Sequence, residues 1–244
     1  MRLPADANRT STTWLRGVGV TWLGHSTFLL TSQTGVRLLF DPFLAGNPKC
    51  PWPARRIDAL NLILISHGHS DHCEDAPQVA RDTGATVVAS PELAGWMARQ
   101  GAKHVRPMNI GGRQTVAGIE IAMVPALHSS SAADGTYLGP ATGFVVRFEG
   151  GQKLYFAGDT ALFGDMRLIR ERHAPDVAFL PIGDRFTMGP EDAALAADWL
   201  GVNVVVPMHY GTFPALTGTV EELRAHLAGR PIDVIELVPG VVRG

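Results

Sequence analysis

Four apolar runs in this chain each end, two to four residues on, in a side chain that can bind a metal. His67 follows Leu62–Ile65, His128 follows Ile119–Val124, Asp159 follows Leu154–Ala157 and His209 follows Val204–Val206. Short, largely β-branched runs bounded by polar residues read as buried strands. Side chains just beyond a packed strand are held rigidly, yet they project into loops that a substrate can reach. One such histidine would be an ordinary surface or core residue. Four segments of this kind demand a fold in which several strand ends meet at one rim.

The densest of them is Ile65-Ser66-His67-Gly68-His69-Ser70-Asp71-His72. Neutral imidazole is a common zinc ligand, and a neighbouring carboxylate adds an anionic oxygen donor. Gly68 is expected to let the chain turn sharply between the first two histidines. With nine His in 244 residues, three of them beside Asp71 in one turn signal a metal site rather than an incidental polar loop. Cys73 adjoins His72, but His and Asp already satisfy the ligand count.

At this length the chain can bury a sizeable core, as one large domain or two fused halves. The reading adopted is a single domain over 1–244 with two pseudo-symmetric halves and a boundary near 115. The formal charge of −2 argues against general nucleic-acid binding, which needs a basic face. Arg55-Arg56 and Arg167, Arg170 and Arg172 read as solvated helix faces. No apolar stretch approaches the roughly 18 residues of a membrane span, and the N-terminus lacks a hydrophobic signal region. With Cys50 and Cys73 alone there is no disulfide framework, so a cytoplasmic location is expected.

In order, residues 1 to 17 read as a loose lead-in. Strands are expected at Val18–Leu23, Thr27–Thr31 and Val36–Phe40, followed by a Pro-rich loop over 44–53. Asp75–Asp82, closed by Gly84, and a second helix opened by Ser90-Pro91-Glu92 flank a strand at Thr86–Ala89. Gly118–Pro125 alternates toward His128, and Thr142–Glu149 with Lys153–Ala157 form a hairpin around Gly150-Gly151. Helices follow at Asp165–His173, Pro190–Leu200 and Val220–Ala228, the last opened by a capping box at Thr219. Val177–Pro181, Val204–Val206 and Val234–Leu237 are short strands. The pattern suggests two stacked sheets with helices outside, an α/β (α+β) architecture. Ser131–Pro140 reads as a candidate flap or an ordinary loop.

The pool of ligands is then His67, His69, Asp71, His72, His128, Asp159 and His209. Seven are too many for one tetrahedral zinc and suit two metals with open positions. Two dications about 3.5 Å apart repel by roughly 19 kcal/mol at an effective dielectric of 20, so anions must lie between or beside them.

Several segments together resemble the metallo-β-lactamase superfamily. They are Thr21-Trp22-Leu23-Gly24-His25-Ser26, the turn at His67–His72, Pro125–Ser130, Ala157-Gly158-Asp159-Thr160 and Pro207–Phe213. Asn109–Gly112, Phe163–Met166 and Pro181–Ala194 extend the match over nearly the whole chain from Val18. Within the superfamily the chain is most similar to metal-dependent hydrolases grouped with the ascorbate-6-phosphate lactonases. The resemblance implies a four-layer αββα sandwich, with the site at the sheet edges between the halves. It implies that His67, His69 and His128 bind a first metal, that Asp71, His72 and His209 bind a second, and that Asp159 bridges them. Asp41 matches an aspartate that supports the site from behind a ligand imidazole. Two departures, Leu127 where relatives often carry Trp and Gly211 where they often carry Asn, touch pocket shape and not metal binding.

The implied chemistry is hydrolysis. A hydroxide bridging two divalent metals, zinc or manganese, is a nucleophile near neutral pH and would cleave an ester, lactone, amide or phosphodiester of a small molecule. Phosphodiesterases of the N-acyl-phosphatidylethanolamine type share segments similar to Trp22–His25 and His209–Phe213, and fold alone does not choose among these. Two other classes are a di-iron redox protein on the same scaffold, where relatives carry Glu in place of His69, and a non-catalytic metal-dependent binding module. Homo-oligomerisation is left open. Asp71 and His25 are the candidate catalytic groups. His25 follows its own strand as the ligands follow theirs, so it is expected to face the cleft and to hydrogen-bond substrate or relay a proton.

Overall fold

A computed structural model describes residues 14–244. Two mixed seven-stranded sheets form the middle of the molecule. The first contains β1 (Gly19–Trp22), β2 (Phe28–Thr31), β3 (Arg37–Phe40), β4 (Leu62–Leu64), β5 (Thr86–Ala89) and β6 (His104–Pro107). The second contains β7 (Arg113–Val116), β8 (Ile119–Pro125), β9 (Thr142–Arg147), β10 (Lys153–Phe156), β11 (Val177–Pro181), β12 (Val204–Met208) and β13 (Asp233–Val234). The last strand, β14 (Val242–Arg243), returns to pair antiparallel with β1, so the end of the chain closes the edge of the first sheet.

Each sheet has an antiparallel part and a parallel part. β1, β2 and β3 are antiparallel, and β3, β4, β5 and β6 run parallel. Likewise β7 to β10 are antiparallel, and β10 to β13 run parallel. The parallel connections carry the helices: α1 (Ser70–Cys73), α2 (Ala76–Thr83), α3 (Pro91–Arg99), α4 (Met166–His173), α5 (Pro190–Leu200) and α6 (Val220–His226). Parallel strands of this kind end on the same rim, which is how separate segments deliver side chains to one place.

Side-chain alternation explains the layers. Leu62 and Leu64 point into the core between the sheets, while Ile63 and Ile65 join Val79, Ala80, Leu93 and Met97 of α2 and α3 on the other face. A strand buried on both faces must be a continuous apolar run. Between the sheets, Phe28 meets Phe179 at 4.6 Å between ring centroids, and Phe40 stacks on Phe156 at 4.3 Å. Buried aromatics of this size contribute roughly 1.5–3 kcal/mol each. Ala193, Ala194, Ala196 and Ala197 of α5 are buried against the second sheet, small enough to bring the helix close. The four-layer αββα arrangement is therefore present.

Local expectations fare unevenly. α2 ends at Gly84 in the left-handed conformation, and Thr219 makes a full capping box with Glu222 at the start of α6. The lead-in is not loose throughout: Leu15 is fully buried, while residues 1–13 lie outside the described part. Of the strand expected over Val234–Leu237 only Val234 lies in one, β13, although the Ile235 N–H still donates to Val205 O at 2.9 Å. The backbone angle at Gly68 does not need a glycine, since its φ is not positive. A Cβ there would lie 2.6 Å from Leu138 Cδ1, so the glycine exists for close packing. Leu138 itself anchors the Ser131–Pro140 segment, a small turn closed by the Ser131–Tyr137 bridge and the Ala132 N–H to Thr136 O bond.

Candidate metal centre

The rim formed by the C-terminal ends of β3, β4, β10 and β12 and the end of β8 collects the expected ligands. His67 and His69 leave β4, and Asp71 and His72 sit on the single turn of α1 that follows. His128 comes after β8, Asp159 after β10 and His209 directly after β12. His67, His72, Asp159 and His209 are buried.

Two groups of donors emerge beside a third, Asp41 with His67 and His72, that shares one residue with each. One ring nitrogen each of His67, His69 and His128 lie within 4.8 Å of one another, as do donor atoms of His25, Asp71, His72 and His209. Asp159 stands between the groups. Its Oδ1 is 3.3 Å from His72 Nε2, and its Oδ2 is 3.0 Å from His209 Nε2 and 3.6 Å from His128 Nε2.

Hydrogen bonds behind the rings fix which nitrogen faces inward. His72 Nδ1–H donates to Asp41 Oδ2 at 2.7 Å, which leaves Nε2 as the lone pair. Asp41 also accepts from the Ser66 backbone N–H at 2.7 Å and from Ser66 Oγ–H at 2.6 Å. With that proton committed, Ser66 Oγ accepts from His67 Nδ1–H at 2.9 Å, so His67 also turns a bare Nε2 inward. One buried carboxylate and one serine thus orient two imidazoles, the arrangement that raises ligand basicity. Asp41 holds φ 43° and His209 φ 55°, and His25 holds φ 58°. Left-handed non-glycine residues cost about 1–3 kcal/mol each and cluster where a site fixes them.

The residues fit a metal. His72 Nε2, Asp159 Oδ1 and His209 Nε2 are buried with no hydrogen-bond partner, although each faces a donor or acceptor at close range. Buried nitrogens and oxygens held this close without hydrogen-bond geometry are groups that a shared cation would satisfy. His67 Nε2 and His69 Nδ1 are 3.0 Å apart. Two nitrogens on a tetrahedral zinc would be about 3.3 Å apart.

The electrostatics agree for the first group of rings and depart at His72. Burial would lower that ring, but Asp159 and Asp41 outweigh it and hold its pKa well above the ordinary value, so a cation there must displace a proton. Burial pushes His67 well below its ordinary value, with His72 adding to the effect, and burial also lowers His69 and His128. These rings are held in the neutral form that a cation needs. Burial alone would raise Asp159, but the adjoining His209 and His72 outweigh it and hold the carboxyl well below the usual range. Burial would likewise raise Asp71, and the hydrogen bond from His25 together with nearby His72 brings it below.

His25 is brought to the cluster but not to its surface. Its ring is fully buried, with Nε2 3.1 Å from Asp71 Oδ2 and Nδ1 3.0 Å from Thr212 Oγ1. Burial, with His209 next, lowers its pKa to about 4, so Nε2–H of the neutral ring donates to Asp71 and Thr212 Oγ–H donates to Nδ1. Cys73 stays out of the cluster: its thiol donates to Gly68 O, and burial pushes its pKa up to about 12. Ser66, Thr212 and Ser129, whose Oγ lies 3.3 Å from His69 Nε2, are contributors the sequence reading did not single out. Ser66 and Ser129 adjoin ligands in the chain, but Thr212 meets His25 only through the fold.

Among the described residues no helix is long and apolar enough to cross a membrane. The sequence matches the family model described as the beta-lactamase superfamily domain over residues 36–210. It is 50% identical over 232 residues to a UPF0173 metal-dependent hydrolase of Rubrobacter xylanophilus, covering 93% of this chain and 96% of that one. A UPF0173 metal-dependent hydrolase of Deinococcus radiodurans is 49% identical over 220 residues, covering 89% and 95%. Among solved structures, Igni18, a metallo hydrolase from the hyperthermophilic archaeon Ignicoccus hospitalis, superimposes with a TM-score of 0.82 at 36% identity, covering 92% and 97%. The converging donors and these likenesses lead to one conclusion: the chain belongs to the metallo-β-lactamase superfamily, as a metal-dependent hydrolase of the UPF0173 family.

Proposed function

We propose that the centre holds two divalent ions and hydrolyses an ester, lactone or phosphodiester bond of a small molecule. His67, His69 and His128 would hold one ion, Asp71, His72 and His209 the other, with Asp159 between them. Five imidazoles and two carboxylates suit zinc, with manganese as the alternative, better than an iron centre built on more oxygen donors. Two such ions, when bound, lower the pKa of water toward about 7 and so supply a hydroxide at neutral pH.

The protein's own part is orientation. Asp41 and Ser66 fix the tautomers of His72 and His67. His25 holds Asp71 through Nε2–H, and Thr212 holds His25. The chain Thr212–His25–Asp71 is thus a buried hydrogen-bonded path ending at a carboxylate that is itself part-exposed. His25 acts on the reaction through Asp71, by positioning it.

The observation that carries the reading is the position of Asp159, with its two oxygens directed at imidazoles of both groups. The test is elemental analysis of fully loaded protein, followed by a screen of esters, lactones and phosphodiesters. Two ions per chain with turnover of one class supports it. A single ion per chain sinks the dinuclear assignment, and two ions without turnover of any class sinks the hydrolytic one.

A further inference from the structure

A cleft of about 900 Å³ opens where the edges of the two sheets, β1 with β14 and β12 with β13, face each other, and it contains none of the proposed ligands. Its volume falls in the range of small-molecule sites. Half-buried Trp14 and Tyr210 offer aromatic surface to it, and buried Trp22 backs Tyr210, stacked on it with ring centroids 5.3 Å apart and planes 17° from parallel. Three cations and one side-chain carboxylate, Glu236, line it as well. Arg224 is paired with Glu236 at 3.0 Å. Lys49 and Arg243 have no carboxylate within ion-pair distance among the described residues.

The lining selects its ligand. Aromatic faces favour a flat, apolar body that can pack or stack on them. Two cations that no carboxylate pairs among the described residues favour an anionic group at its edge, through charge-assisted hydrogen bonds. We propose that this cleft binds a planar aromatic anion, and that its occupancy is felt at the metal centre.

The route to the centre is short. Trp22 Nε1–H donates to the His25 carbonyl at 2.9 Å. The same carbonyl accepts the His209 backbone N–H at 3.1 Å, and Tyr210 is the next residue in the chain. Both rings of the stacked pair therefore connect to His25 or His209 through one shared acceptor or one peptide bond. A ligand that shifts Trp22 disturbs its bond to that carbonyl, and one that shifts the Tyr210 backbone carries His209 with it. Coupling of this kind needs a ligand that favours one arrangement over another.

The test uses 8-anilinonaphthalene-1-sulfonate on metal-loaded protein, followed by fluorescence and calorimetry. N-phenyl-1-naphthylamine, the same ring system without the sulfonate, is the control. The expected result is one sulfonate site per chain, binding at least about tenfold tighter than the neutral amine. The Lys49→Gln/Arg243→Gln double variant, with an unchanged melting temperature, should lose that preference; if it does not fold, Lys49→Gln alone should weaken it by about threefold or more. Equal affinity for the two dyes, or a preference that survives loss of the cations, overturns the site. The coupling is read from the rate at which a chelator strips the metals, expected to change by about threefold or more when the sulfonate is bound. An unchanged rate overturns the coupling.

Discussion

Asp159 is the residue on which the two halves of the centre depend. Its carboxylate faces His72 on one side and His128 and His209 on the other, buried among rings that hold it ionised. Asp159→Ala removes both oxygens, whereas Asp159→Asn keeps one weak oxygen donor and loses the charge. Metal content should therefore fall in the order wild type, Asn, Ala, as read by elemental analysis. Equal occupancy in all three proteins would remove Asp159 from the ligands. At His25 the expectation is subtler. The ring donates to Asp71 and does not reach solvent, so His25→Ala should loosen the second ion and cut turnover by about tenfold or more. His25→Gln, with an amide that can still donate to Asp71, should recover part of both. An Ala variant with wild-type metal retention after mild chelation and wild-type turnover makes the residue a bystander.

Elements deliver these residues, and their spacing is tight enough to test. Gly183 follows β11 and lies against the chain just beyond β12, where a Cβ on it would come 2.1 Å from the His209 carbonyl oxygen. Gly183→Ala must therefore displace His209 or its own loop. We expect reduced metal occupancy together with a loss of stability of about 1–3 kcal/mol from overpacking, measured by denaturant unfolding and elemental analysis. Full occupancy at unchanged stability would show that the two loops have slack. The ligand-bearing strands β4, β8, β10 and β12 were legible in the sequence because burial on both faces or in a long ladder forces contiguous apolar runs. By contrast, β6 and β7, His-Val-Arg-Pro and Arg-Gln-Thr-Val, are half-solvated edge strands with no apolar signature, so they went unread. The four-residue α1 that carries Asp71 and His72 is too short to show a helical period. The partnership of Thr212 with His25 spans 187 residues and exists only once the sheets have packed.

At the scale of the molecule, the proposed ligands come from both sheets: His67, His69, Asp71 and His72 from the first, and His128, Asp159 and His209 from the second. Bound ions would therefore tie the sheets together at the rim. The opposite end has its own fastening, where Ser32 and Thr34 in the β2–β3 turn donate to Glu149 in the β9–β10 turn, the Ser32 bond at 2.9 Å. Removing metal should loosen one end and spare the other. Each ion present at a hundred times its dissociation constant stabilises the folded chain by about 2.7 kcal/mol. For a chain of this length two ions correspond to a rise in melting temperature of roughly 10–20 °C. Calorimetry of chelated and reloaded protein measures that shift. Hydrogen exchange locates it: on chelation, protection should fall at Ser66–Cys73, Leu127–Ser130 and Gly158–Thr160, and hold at Ser32–Val36 and Phe148–Gln152. Loss of protection spread evenly over both ends, or a melting temperature indifferent to metal, would show that the ions do not clamp the sheets.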